Sequence, residues 1–111
     1  MNETQRVRRG HDFYPSKSIR DVTPKLYDTE KQGADRKTVF VHYFVASADW
    51  YVVEADWSTG ECFGWAELFP GGGELGYFDL NEMERLTVGT FVVERDLYWE
   101  PRSLKTVLVA R

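Results

Sequence analysis

Three carboxylates, Glu54, Asp56 and Glu61, have the types and spacing to build a divalent-cation site. Glu54 and Asp56 alternate along one strand and Glu61 follows a short turn, so all three would reach one rim, where oxygen ligands suit Mg²⁺ or Ca²⁺. A metal-dependent hydrolase is the activity such a rim would support. The competing reading, a solvated acidic hairpin end, is preferred. Glu54 with Glu67, beside Trp50 and Trp65, would resemble the paired acid and base of a sugar-processing cleft, which needs carboxyls about 5–10 Å apart around a pocket. A sheet face of this size leaves little room for one. Cys62 as a nucleophile needs a base, and His42 is the nearest candidate, but a buried thiol and a hydrogen-bonded core imidazole fit the strand pattern better. His11, His42 and Cys62 lack the close paired spacing of structural zinc ligands. No catalytic residue, metal ligand or cofactor is therefore assigned.

The same stretch supports recognition more strongly than reaction. From Thr38 to Glu84 there is no Lys or Arg, while nine carboxylates and eleven of the seventeen aromatics fall there. An acidic, aromatic surface attracts a basic protein partner by charge and holds it by ring anchors. The expected contact residues are Tyr43, Trp50, Glu54, Phe63, Trp65 and Glu67, with the aromatics as anchors and the carboxylates as orienting charges. The other use for these rings is a second core layer. Nucleic acid would be repelled by the body of the chain. Only the N-terminal Arg6, Arg8 and Arg9 could contact phosphate. An exposed aromatic face could also join two copies into a homodimer.

At 111 residues the chain is sized for one domain, since roughly 100–150 residues usually enclose a single core. Residues 1–20 hold five bases and two acids, whereas the remainder holds nine bases and sixteen acids. The expected organisation is a flexible basic arm over residues 1–17 and a single α+β domain over 18–111. Val and aromatic residues over Lys37–Ala46, Asp49–Asp56 and Glu61–Phe69 predict three strands joined by short turns, with Gly60 supplying a positive φ. Pro70-Gly71-Gly72-Gly73 reads as a hairpin connection into a short strand at Glu74–Phe78. Asp79-Leu80-Asn81-Glu82 has the form of a capping box, and Leu80, Met83 and Leu86 make an apolar stripe, so a helix over Asp79–Leu86 should lie on the sheet. Thr90–Trp99 predicts another strand, with Arg95 on its apolar side and in need of a partner. After Pro101, Ser103 could cap a helix bearing Leu104, Val107 and Leu108, with an edge strand as the alternative. The expected fold is an antiparallel meander sheet of about five strands, one short helix on a face, and this C-terminal segment.

Strict alternation along tightly connected strands assigns the two faces. Phe40, His42, Phe44, Tyr51, Val53, Ala55, Cys62, Gly64, Ala66 and Leu68 would share one side, where Cys62, Gly64 and Ala66 leave room for the helix. Val41, Tyr43, Trp50, Val52, Glu54, Asp56, Glu61, Phe63, Trp65 and Glu67 would share the other. A lone cysteine, no apolar run of membrane-spanning length and no apolar N-terminal leader segment predict a cytoplasmic protein without a membrane partner.

The chain also resembles a known family. Lys25-Leu26-Tyr27, His42-Tyr43-Phe44, Asp49-Trp50-Tyr51, Glu54 and Asp56, Phe63-Gly64, Glu74-Leu75-Gly76-Tyr77, Leu80, and Val93-Glu94-Arg95-Asp96-Leu97 with Trp99 and Pro101 are similar to the motifs of domain of unknown function 2958. They span about residues 19–105. Members of that family occur in bacteria and on plasmids, phages and other mobile elements, so the resemblance implies such an origin, with no catalytic residue to transfer. The expected function is that of a non-enzymatic binding or host-modulating protein of such an element. The long basic arm departs from the family pattern, as does Asp79, where members often carry Ser before the helix.

Overall fold

The computed structural model describes residues 2–110, so the expected boundaries at residues 1 and 111 lie outside the described residues. Two short helices, α1 (Arg6–Arg9) and α2 (Lys17–Val22), and a 3₁₀ turn at Ala34–Arg36 precede the strands. These are β1 (Thr38–Val39), β2 (Val41–Val45), β3 (Ala48–Asp56), β4 (Glu61–Glu67) and β5 (Gly73–Asp79). Helix α3 (Leu80–Arg85) follows, then β6 (Thr87–Val88), β7 (Phe91–Val92), β8 (Glu94–Arg95), β9 (Arg102–Ser103) and α4 (Leu104–Ala110).

The main sheet has five antiparallel strands in the order β5-β4-β3-β2-β8. Its first four strands form the expected meander, but the chain then crosses back, and β8 joins the β2 edge instead of continuing beside β5. The strand expected over Thr90–Trp99 is broken for a visible reason. Val93 is fully buried and its carbonyl accepts a hydrogen bond from Arg9 Nε at 2.7 Å, which diverts the backbone between β7 and β8.

Local chemistry explains most of the boundaries. Gly60 adopts φ +85° between β3 and β4, as a tight connection requires. Ala46 takes φ 51° at the first central position of the β2–β3 hairpin, the place where a type II′ turn calls for a left-handed residue. The Asp79 side chain accepts from the backbone N–H groups of Asn81 (2.8 Å) and Glu82 (3.4 Å), and so starts α3. Ser103 Oγ accepts from Thr106 N–H at 3.1 Å, and the C-terminal segment is the helix and not the edge strand.

One β-bulge rearranges the faces. The β3–β4 register shifts between Val52 and Glu54. Two residues of β3 then oppose one of β4, and every side chain beyond that point changes sides. Trp50 and Val52 therefore join Val41, Tyr43, Ala55 and Cys62 in one core, which α3 closes with Leu80 and Met83. Tyr51, Val53 and the half-buried Trp65 line the opposite face, which α4 closes with Leu104 and Val107. His42 bridges the second face: Nε2 lies 2.8 Å from Asp49 Oδ1 and Nδ1 lies 3.1 Å from Asp96 Oδ2, with the ring stacked on Tyr51. It is thus on the side away from Cys62, contrary to the alternation reading.

The segment read as a loose basic arm is packed in the structure. Phe13 and Tyr14 are core residues. Arg9 has no exposed side-chain surface and meets Glu84 at 3.0 Å and Glu3 at 3.1 Å. Glu84 also accepts from the N–H groups of Thr4 and Gln5, each at 2.9 Å. Of the three arginines expected to contact phosphate, Arg9 is a buried internal ion-pair partner, while Arg6 and Arg8 are exposed.

Candidate partner-binding surface

The six expected contact residues do not share a face. Tyr43 is fully buried, and its hydroxyl donates to the Phe13 carbonyl at 2.9 Å. Trp50 is buried in the same core. Both are corrected to core residues, because the bulge separates them from the acidic positions further along β3. Glu54 is turned to the second face but is only 2% exposed. One of its oxygens accepts from Tyr27 N–H at 2.7 Å, and the other accepts from Thr29 N–H at 2.9 Å and from the Thr29 hydroxyl. Glu67 is buried as well, and accepts from the Trp65 indole at 3.3 Å. Phe63 and Trp65 alone of the six keep intermediate exposure.

The same facts weigh against the hydrolase reading. Both oxygens of Glu54 are committed to backbone donors. Asp56 Oδ1 accepts from Ser58 N–H (3.0 Å) and Ser58 Oγ (2.6 Å), and these bonds hold its carboxyl below the usual range. Among the described residues no group of three or more His, Cys, Asp or Glu is placed to hold a metal ion. Cys62 is sealed in the core, where burial pushes its thiol far above the ordinary value and leaves it protonated.

The structure instead builds a surface around Tyr27, Phe63 and Tyr77. Pairing of β4 with β5 sets Phe63 opposite Tyr77, with ring centroids 5.0 Å apart. Tyr27 comes from the loop before the sheet, and its ring lies 6.2 Å from that of Tyr77. Its backbone has φ 74°, a left-handed conformation disfavoured for a residue with a Cβ by about 1–2 kcal/mol. The Glu54 hydrogen bonds to Tyr27 and Thr29 fix that loop, and Ala55 N–H donates to the Pro24 carbonyl at 2.9 Å just past the bulge. Tyr27 and Tyr77 remain 60% and 52% exposed.

A cavity of about 280 Å³ lies beside these rings, lined also by Leu75, Lys37 and Glu54. Lys37 is buried; its Nζ donates to the Thr29 carbonyl at 2.7 Å and lies 5.7 Å from the Phe63 centroid. Its charge is thus answered within the fold. At the end of β5, Glu61, Asp79 and Glu82 border a second concavity shared with Tyr77. A larger cleft of about 570 Å³ on the other side of Tyr27 brings Arg20 and Lys25 together with Asp21 and Asp56. Charges of both signs meet there. Asp21 is already paired with Lys17 at 2.7 Å, so no single ligand chemistry converges on that cleft.

Sequence reasoning missed Tyr27 and Tyr77. Tyr77 was within reach of the strand register, since extending the β4–β5 ladder from the glycine loop places it against Phe63. Tyr27 carried no such signal, because its place depends on contacts with residues far along the chain.

Comparison with curated proteins and with solved structures gave no match. A family model described as a protein of unknown function, DUF2958, matches residues 17–110. That span covers the strands, α3, α4 and the Tyr27–Phe63–Tyr77 surface, and begins just after the packed N-terminal segment. The chain belongs to the DUF2958 family.

Proposed function

We propose that this chain is a non-enzymatic binding protein that anchors a basic protein partner on Tyr27, Phe63 and Tyr77. The observation that carries the reading is Tyr27 itself: a strained backbone, fixed by a buried carboxylate, presents an aromatic ring largely to solvent. Local strain maintained by surrounding structure is a mark of functional positions. Tyrosine rings supply large contact area with few torsions to immobilise, and such residues dominate interface energetics. Glu61, Glu74, Asp79 and Glu82 on β4, β5 and α3, with no base between Thr38 and Glu84, would steer a positively charged partner and repel an acidic one. Phe63 and Trp65 remain from the expected contact set. The family resemblance supports a setting on a phage, plasmid or other mobile element, where the partner would be a host protein.

The test is capture from a bacterial lysate by wild type and by a Tyr27→Ala/Tyr77→Ala variant whose melting temperature is checked first. A basic protein retained by wild type, released by salt, and recovered at least about tenfold less by the variant is the expected result. Equal recovery by the two forms would remove the aromatic anchors from the reading.

A further inference from the structure

Strand β5 ends one side of the main sheet. Leu80 N–H donates to the Gly60 carbonyl at 2.9 Å, on the continuation of the register that sets Glu61 opposite Asp79. Hydrogen-bonded and non-hydrogen-bonded pairs alternate along an antiparallel ladder. Glu74, Gly76 and Phe78 therefore bond to β4, and Leu75 and Tyr77 direct their N–H and C=O groups outward. Among the described residues no hydrogen bond reaches those outward groups.

Proteins usually blunt such an edge with Pro, Lys, a bulge or a very short strand. β5 has seven residues, neither Pro nor Lys, and an unbroken register. The opposite edge is different: β8 has two residues, and Arg95 Nε there donates to the Asp12 carbonyl at 3.2 Å.

We infer that β5 receives an added strand from an extended, basic segment of the partner. This rests on the binding reading above and gives it a recognition mode, since main-chain pairing supplies affinity and alternate side chains supply selectivity. Partner residues opposite Leu75 and Tyr77 fall on the aromatic face, beside the rings of Tyr77 and Phe63, where apolar side chains fit. A residue opposite Gly76 falls on the other face, where even a Cβ on Gly76 would meet nothing within 4 Å. Glu74 shares the face of that opening, whereas Glu61 and Asp79 lie on the aromatic face at the far end of the strand, with Glu82 beyond them. The segment therefore alternates apolar residues with Lys or Arg that meet Glu74, and carries a further cation where it passes Asp79. A second copy fits less well, because pairing β5 with itself brings two acidic edges together.

The test is residue-resolved amide hydrogen exchange by NMR, with a blocked peptide of alternating Lys and Val, equal in length to β5, as the probe. Saturating peptide should slow exchange at Leu75 and Tyr77 by about tenfold or more, and change little at Glu74, Gly76 and Phe78, which already bond to β4. The Glu–Val counterpart should have no effect. Gly76→Lys places a cation in open space at the edge and should weaken binding about tenfold. Equal slowing by the Glu–Val peptide overturns the basic character of the segment. Binding that perturbs the Tyr27 and Tyr77 rings while the Leu75 and Tyr77 amides exchange as in the free protein overturns the added strand and leaves the aromatic anchors standing. Slowing that grows with protein concentration, without peptide, identifies a second copy as the occupant and overturns the basic segment. Absence of binding up to millimolar peptide also overturns the added strand, and the aromatic reading is then decided by its own capture experiment.

Discussion

Both oxygens of Glu54 serve a loop that precedes it by 25 to 27 residues. A carboxylate accepting backbone N–H groups inside a fold is a fastening, and its removal leaves those donors without partners. Glu54→Ala should therefore destabilise the protein by about 3–5 kcal/mol in urea unfolding. Glu54→Gln keeps an acceptor and should cost less. A loss below about 1 kcal/mol for the alanine variant would mean that other contacts hold the loop. In the sequence this residue was legible as important but not as internal. Its alternation with Asp56 suggested a pair of exposed ligands, and burial beneath a distant loop leaves no trace in local spacing.

At the scale of elements, the bulge in β3 decides which residues act together. Gly64 explains how the sheet accommodates it. A Cβ there would stand 1.9 Å from the Tyr51 carbonyl oxygen, so no larger residue fits without displacing the strand. The sequence reading ascribed this small residue to helix packing, whereas the close neighbour is β3 backbone. Gly64→Ala should destabilise by about 2 kcal/mol or more. Gly76→Ala, with open space around it, should be neutral or stabilise by about 0.5–1 kcal/mol. Chemical denaturation of the two variants checks the contrast, and similar effects at both sites would contradict the register described here. Strands β2 to β5, the Asp79 cap and the Ser103 cap were readable, because each depends on residues within a few positions, whereas the single strand expected over Thr90–Trp99 is divided. The bulge was not readable, because Trp50-Tyr51-Val52-Val53 is a continuous apolar run in which an extra residue breaks no period.

For the whole molecule, Glu84 ties the N-terminal segment to α3. Burial would raise its carboxyl, but hydrogen bonds from Thr4, Gln5 and Arg9 outweigh this and hold it below the ordinary glutamate value. A group depressed in the folded state stabilises the fold above its unfolded pKa, and that contribution is lost as pH falls through the folded value. Melting temperature should therefore decline as pH drops below about 4.3, the usual glutamate region. Glu84→Gln should melt lower at neutral pH and show a shallower acid decline. An unchanged acid profile in that variant would assign the pH dependence to other carboxylates. The basic character of residues 1–20 was plain in the sequence. Its docking was hidden, since Arg9 finds its carboxylate 75 positions away.

What the sequence by itself determined is the local grammar: an α+β chain, a meander of aromatic and β-branched strands, capped helices, and an acidic stretch without bases. These follow from propensity, periodicity and capping, which act over a turn of helix or a pair of residues. Tertiary structure alone decided the sides of the sheet, the docking of Arg9, and the surface on which Tyr27 meets Tyr77. Each depends on groups brought together from distant parts of the chain. A one-residue shift in register exchanges inside for outside, and here it placed Tyr43 and Trp50 in one core while Phe63 and Trp65 stayed on the opposite face.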